Sequence, residues 1–388
     1  MTGTVKPNIY IGLIVFIIVL VLMVFVAAPM QYAWGMWGLA LTELMLLLCA
    51  IVPALILKWD LREIFRFSRP AARQIFGVLV LWLGTYLSVA AITMIIFYLF
   101  PEGMGYVSNE LLKFFNSVPF PLTLLVIAVM PAVCEEALHR GLLLHTFAGH
   151  SKWSTIGWMG LIFGIFHLDP YRFLGTALLG VILTLIMLET RNILLPMLFH
   201  FVNNAVASLT ALLSEPGAAV QPSLSLVGVY IVLAFPVPFL LLAGSRLIKS
   251  RAECRSNPVS KRTIFIAIAA ALILIAVGAC IIIPSFAREP LFETSFSGGV
   301  NQDTPAHELT FTVPEDGSYA LDLHIQGDRV ITSMVIVNSS GEEVFDVSAE
   351  SLTLNGPIEL EAGDYVIRLT HDSDSAEFRT VSVDILIR

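Results

Sequence analysis

The chain has 388 residues, 57% of them hydrophobic and only 13% charged, with a formal net charge of −8. Soluble domains carry about a quarter charged residues and seldom exceed half apolar content, so a wholly soluble protein is excluded and an integral membrane protein is expected. The charge is also divided: residues 290–388 hold 18 acids against 4 arginines and no lysine, whereas residues 1–289 hold 12 acids and 18 bases. An acidic tail without lysine argues against nucleic acid as a partner.

The first apolar run, Ile9–Met30, is longer than the core of a signal peptide and follows a single base, Lys6, so it reads as a retained helix. Nine spans are expected, near residues 9–29, 33–57, 74–100, 119–147, 154–168, 171–188, 191–214, 222–247 and 263–286. The fifth and sixth meet at His167-Leu168-Asp169-Pro170, a turn with the proline opening the next helix. Basic residues follow spans two (Lys58, Arg62, Arg66, Arg69, Arg73), four (His150, Lys152), six (Arg191) and eight (Arg246 to Arg262). The alternate loops Met30–Tyr32, Pro101–Pro119 and Ser214–Pro222 are acidic or neutral. Positive loops stay inside, which predicts a cytoplasmic N-terminus and, after nine spans, an extracytoplasmic C-terminus. Cys49, Cys134, Cys254 and Cys280 lie in or beside the apolar region and form no disulfide or CxxC framework.

From about residue 290 the apolar period changes to two, as in Glu308–Val313, Tyr319–Ile325, Met334–Val337 and Tyr365–Leu369. Turn clusters at Pro314–Gly317, Asn338–Gly341 and Glu361–Asp364 separate these runs. Seven or eight short strands at this spacing predict a β-sandwich. The fold class is therefore a polytopic α-helical membrane bundle followed by an all-β sandwich.

Ionisable groups inside spans are costly and default to functional hypotheses. Span four carries Glu135-Glu136-Ala137-Leu138-His139-Arg140, span five ends Phe163-Gly164-Ile165-Phe166-His167, and span seven carries His200-Phe201-Val202-Asn203-Asn204. Glu136 and Arg140 are i,i+4 partners able to neutralise each other, which leaves Glu135, about 100° away on the helix, free to act as a base. His200 and Asn204 project from one face. At 1.5 Å per residue, Glu135, His167, His200 and Asn204 lie about 14–20 Å from the basic ends of their spans, at one level. His139 and His145 read as interfacial or structural, and Phe163 as packing beside His167. Glu43 is either a proton-relay group or a hydrogen-bonded acid facing the bundle.

These three segments resemble the Glu-Glu-x-x-x-Arg, Phe-x-x-x-His and His-x-x-x-Asn signatures of the CAAX protease and bacteriocin-processing family of membrane endopeptidases, the CPBP or Abi proteins. The resemblance covers about residues 115–215. It implies a bacterial plasma-membrane enzyme in which Glu135 and His167 activate a water. His200 and Asn204 would then stabilise the oxyanion, with Glu136 and Arg140 in support. The division it suggests is 1–115 N-terminal membrane helices, 116–215 catalytic core, 216–289 C-terminal membrane helices and 290–388 extracytoplasmic sandwich. The stretch Glu359–Leu369 is similar to the closing strands of the pre-peptidase C-terminal type of sandwich.

Family members are described both as metal-dependent and as metal-free, so the cofactor is either none or a divalent ion such as zinc on Glu135, His167 and His200. Spacing favours Asn204 over Asn203 as the second oxyanion group. No His-Glu-x-x-His, no Gly-x-Ser in a span and no Gly-x-Gly-Asp points to another protease class. The competing readings are a transporter-like proton or ligand site, which usually brings repeats not seen here, and an inactive scaffold or immunity protein. Expected partners are the bilayer, a membrane-associated peptide or protein substrate, prenylated or not, and an extracytoplasmic partner for the sandwich.

Overall fold

The computed structural model describes residues 5–213, 222–287, 292–300, 306–327, 331–348, 353–371 and 379–387. Most of the expected neutral loop Ser214–Pro222 lies outside them. The chain divides into two compact units, Met1–Cys280 and Ile281–Arg388.

The first unit is helical: α1 (Ile9–Trp34), α2 (Met36–Ile56), α3 (Leu61–Phe65), α4 (Ala72–Leu99), α5 (Pro101–Phe115) and α6 (Phe120–Leu143). There follow α7 (Lys152–Phe166), α8 (Phe173–Thr190), α9 (Leu194–Leu212), α10 (Leu224–Ile248), α11 (Arg251–Ser256) and α12 (Lys261–Ala287). Among the described residues eight helices are long and apolar enough to cross a bilayer, against the nine expected. The shortfall is α7, whose 15 residues extend only about 22 Å at 1.5 Å each, less than a hydrocarbon core of ~30 Å.

Helix α7 forms a hairpin with α8 instead of standing alone. The turn differs slightly from expectation, because Asp169 Oδ1 accepts from the amides of Tyr171 (2.9 Å) and Arg172 (3.2 Å). Pro170 therefore sits in a side-chain-stabilised turn, and α8 opens at Phe173. Small residues bring the two backbones together. A Cβ added to Gly180 would lie 2.7 Å from Phe163 Cβ and 3.1 Å from Gly160 Cα, and one on Gly160 would lie 2.6 Å from Val181 Cγ2. In a bilayer, where apolar side chains gain nothing by leaving lipid, such close approach is a main source of helix association. The α4–α10 pair uses the same device at Gly77 and Gly244, where a Cβ would meet Leu247 and Leu81 at 2.7 and 2.6 Å.

Several contacts fix which loops share a face. Trp59 Nε1 donates to the carbonyl of Val5 at 2.7 Å, Arg66, His150 and Arg191 line one cavity, and Lys152 and Lys249 both pair with Glu189. The N-terminus and the basic loops after α2, α6, α8 and α10 thus lie together. The hairpin α7–α8 leaves this face and returns to it, so its length does not alter the parity of the other helices.

Among the described residues α6 is the most buried of the spanning helices. It departs from α-geometry at π-helical turns over Leu124–Val129 and Ala137–Leu143. Such turns cluster at functional sites.

Among its described residues the second unit holds eight strands: β1 (Phe292–Val300), β2 (Ala306–Val313), β3 (Gly317–Gly327), β4 (Ile331–Asn338), β5 (Glu343–Ser348), β6 (Thr353–Leu360), β7 (Gly363–His371) and β8 (Arg379–Ile387). They form two antiparallel four-stranded sheets, β1-β8-β3-β6 and β2-β7-β4-β5. Alternate residues enter the core, as Phe311 and Val313, Met334 and Ile336, Ile358 and Leu360, and Tyr365 and Ile367 show. The Asn338–Gly341 turn holds its shape because Asn338 Oδ1 accepts from the amides of Ser340 and Glu342 and Gly341 adopts φ 82°.

Gly180→Val tests the hairpin contact. The substitution should overpack the α7–α8 seam, costing about 1–3 kcal/mol, and lower the thermal midpoint of the detergent-solubilised protein. An unchanged midpoint would refute the contact.

Candidate functional site

The polar residues of α6 are buried where the bundle is most crowded. Glu136 is fully inaccessible, and its Oε1 accepts from Arg140 Nη1 at 3.0 Å and pairs with His200 Nδ1 at 2.8 Å. One carboxylate oxygen therefore joins a cation one turn away on its own helix to a ring on α9. Arg140 also donates through Nη2 to the carbonyl of Gly180 at 3.2 Å, so α6, α8 and α9 meet in one network. Among the described residues, Glu135 (8% exposed) has an Oε2 with no protein hydrogen-bond partner. The expected Glu136–Arg140 pair is present, and Glu136 likewise keeps an Oε2 without a partner among the described residues.

His167 lies at the C-terminal end of α7 with Nδ1 2.8 Å from the carbonyl of Phe163. A carbonyl only accepts, so Nδ1 carries the proton and Nε2 of the neutral ring is a lone-pair acceptor. The same logic applies to His139, whose Nδ1 is 2.9 Å from the carbonyl of Glu135. It applies also to His200, whose Nδ1 proton is directed at Glu136 when that group is a carboxylate. Three imidazoles are thus held in one tautomer by fixed acceptors.

Phe163 organises these rings. Its centroid lies 4.9 Å from that of His167, 5.0 Å from His139 and 5.9 Å from His200, and the Arg140 guanidinium carbon sits 4.4 Å from it. The sequence reading assigned Phe163 only to packing beside His167; it touches four polar groups at once. Of the two readings for His139, interfacial or structural, the structure favours the second: the residue is fully buried with Nε2 unpartnered. Its i,i+4 spacing from Glu135 was the available signal. Glu43 of α2 is 3% exposed with Oε2 unpartnered. His145 stays outside the cluster, edge-on to Trp59 at 5.1 Å.

Asn204 has a partner the sequence did not suggest. Its Nδ2 donates to the carbonyl of Ile127 at 2.9 Å, and its Oδ1 accepts from Asn203 Nδ2 at 3.2 Å. Ile127 stands four residues before Pro131, which has no N–H to offer that carbonyl. Asn204 supplies the missing donor from α9 and still has a second amide hydrogen.

Glu135, His167 and His200 are the set that the sequence offers for a zinc ion. No three His, Cys, Asp or Glu side chains among the described residues converge as a divalent ion requires.

Asn204→Ala should cost about 1–2 kcal/mol by leaving the Ile127 carbonyl unsatisfied. In a Pro131→Ala background, which returns a backbone donor, that cost should shrink; thermal melts of the four proteins give the coupling. Equal costs in both backgrounds would show that Asn204 does not replace the proline's missing donor.

The family model described as type II CAAX prenyl endopeptidase Rce1-like matches residues 117–206, the segment that carries α6, α7, α8 and most of α9. No curated protein matches the chain. Among solved structures, the pre-peptidase C-terminal domain of a collagenase from Bacillus anthracis matches with 11% identity and a TM-score of 0.21, covering 25% of this chain and 90% of that one. The chain is an integral membrane protein whose residues 117–206 match the Rce1-like family of CAAX prenyl endopeptidases.

Proposed function

We propose that this protein is an intramembrane endopeptidase that hydrolyses a peptide bond of a membrane-associated substrate, prenylated or not, with Glu135 as general base. The observation that carries the reading is the contrast between the two adjacent acids: Glu136 is held through Oε1 by Arg140 and His200, whereas the Glu135 side chain makes no hydrogen bond or ion pair among the described residues, although each acid leaves its Oε2 unpartnered. A base must be free to take a proton, and its neighbours must be fixed.

In this mechanism Glu135 draws a proton from a water whose other hydrogen is directed at Nε2 of His167. The water oxygen attacks the scissile carbonyl carbon, and negative charge grows on the carbonyl oxygen. His200 serves that oxygen when Nε2 is protonated, because Nδ1–H then points to Glu136 and Nε2–H to the oxyanion. The remaining amide hydrogen of Asn204 is the second donor, and its bond to Ile127 fixes the side chain. Preorganised donors of this kind are worth about 3–4 kcal/mol each. When the C–N bond breaks, Glu135 returns its proton to the leaving nitrogen. Arg140 holds Glu136, and Phe163 keeps water away from the back of all three rings. Access of the substrate from the bilayer is part of this proposal, as is a metal-free reaction.

The basic loops gathered on one face support a cytoplasmic placement of that face and of the N-terminus. We assign the sandwich to the extracytoplasmic side, where it would hold a surface partner instead of completing the site. The transporter-like and scaffold readings gain no comparable support, since neither requires one acid to be neutralised and its neighbour left free.

In cells, Glu135→Ala should leave membrane substrates uncleaved, with turnover reduced by about 10²–10⁴-fold, and a proteomic comparison with wild type reads this out. Chelators should leave wild-type cleavage unchanged. Equal cleavage by both proteins would refute Glu135 as the base, and chelator loss restored by zinc would refute the metal-free reaction.

A further inference from the structure

Behind Arg140, on the face where the basic loops gather, lies a cavity of about 490 Å³ that the catalytic reading does not use. Arg66, Arg140, Lys152 and Arg191 line it, and Glu63 is the acid among its lining residues. Arg140 is already engaged by Glu136 and Gly180, and Lys152 shares Glu189 with Lys249. Arg66 stands 3.8 Å from Glu63, and Arg191 makes no ion pair among the described residues. Ile64, Leu144, Phe147, Met187 and Leu188 supply an apolar wall to the same space.

Two features mark the cavity as built. Arg66 and Arg191 have φ values of 23° and 49°, a region that suits glycine and costs other residues about 1 kcal/mol or more. Their loops are also tied together: Asn192 Nδ2 donates to the carbonyl of Ser68 at 2.9 Å, Ser68 N donates to Asn192 Oδ1 at 3.4 Å, and Ile193 N donates to the carbonyl of Arg66 at 3.3 Å. Two unfavourable backbone positions are therefore kept in register, each bearing a guanidinium where glycine would be easier. The depth is interfacial. Trp153, largely exposed, stands beside Lys152, whose Nζ lies 5.6 Å from its ring, and tryptophan favours the headgroup level.

We propose that this cavity binds the phosphate headgroup of an anionic phospholipid, with Arg66 and Arg191 clamping the phosphate and the apolar wall receiving the upper acyl chain. Guanidinium forks match phosphate oxygens in pairs. The combination of cationic rim and aliphatic wall fits an anionic amphiphile better than a free ion. The proposal stands apart from the catalytic reading: Arg140 is the residue that the cavity shares with that site, and the phosphate clamp uses Arg66 and Arg191 instead.

The test is native mass spectrometry of the full chain in detergent, titrated with phosphatidylglycerol, with phosphatidylcholine of the same acyl chains, and with inorganic phosphate. Arg191→Gly removes the charge while relieving the left-handed backbone, so the variant should melt no lower than wild type. The preference for phosphatidylglycerol should fall about fivefold in Arg191→Gly and about 25-fold in Arg66→Gly/Arg191→Gly, at about one charge contact each. Arg191→Lys, which keeps the charge, should retain most of it. Equal binding of the two lipids by wild type, or a preference that survives in both glycine variants, would overturn the proposal. Binding of inorganic phosphate without preference between the lipids would assign the cavity to a free anion and overturn the lipid assignment.

Discussion

A carboxylate inside a membrane bundle is unfavourable by several kcal/mol unless its charge is met, and Glu136 is met from two helices. Arg140 reaches it from one turn further along α6, and His200 reaches it from α9. The rest of the site follows from this junction. Arg140, held by Glu136, lies on Phe163 and donates to α8 at Gly180. His200, held by Glu136, has its tautomer fixed. Glu135, adjacent in sequence but turned about 100° away, takes no part in these hydrogen bonds and ion pairs.

Much of this was legible in the sequence, because the informative spacings are short. The i,i+4 relation of Glu136 to Arg140 and of His200 to Asn204 is a property of any helix, and helix placement followed from long apolar runs. The sandwich was legible for the same reason, its alternation at Phe311–Val313 and Tyr365–Ile367 being local. What could not be read was whatever depends on contact between distant segments. Nothing in the order of residues indicates that Phe163 touches three histidines and an arginine, or that Asn204 serves a carbonyl 77 residues away.

The π-helical turns and prolines of α6 explain part of that gap. A proline inside a span reads as a break, yet here Pro131 leaves the Ile127 carbonyl open to a donor from another helix and so ties α9 to α6. The count of nine spans failed at α7 because hydropathy registers apolar character and not the length left after Ser151 and the Asp169 turn close the helix at both ends. Glycine packing compensates: with Gly160 and Gly180 in contact, a 15-residue helix is held by its neighbour.

The account stands on unequal roles for two neighbouring glutamates, and the most direct measurement compares Glu135→Gln with Glu136→Gln in thermal stability and in cleavage of one membrane substrate. Glu135→Gln should melt like wild type and lose cleavage by about 10²–10⁴-fold. Glu136→Gln should lose about 3–5 kcal/mol of stability, because it strands the buried Arg140. Wild-type cleavage by Glu135→Gln, or an undiminished melting temperature for Glu136→Gln, would contradict the account.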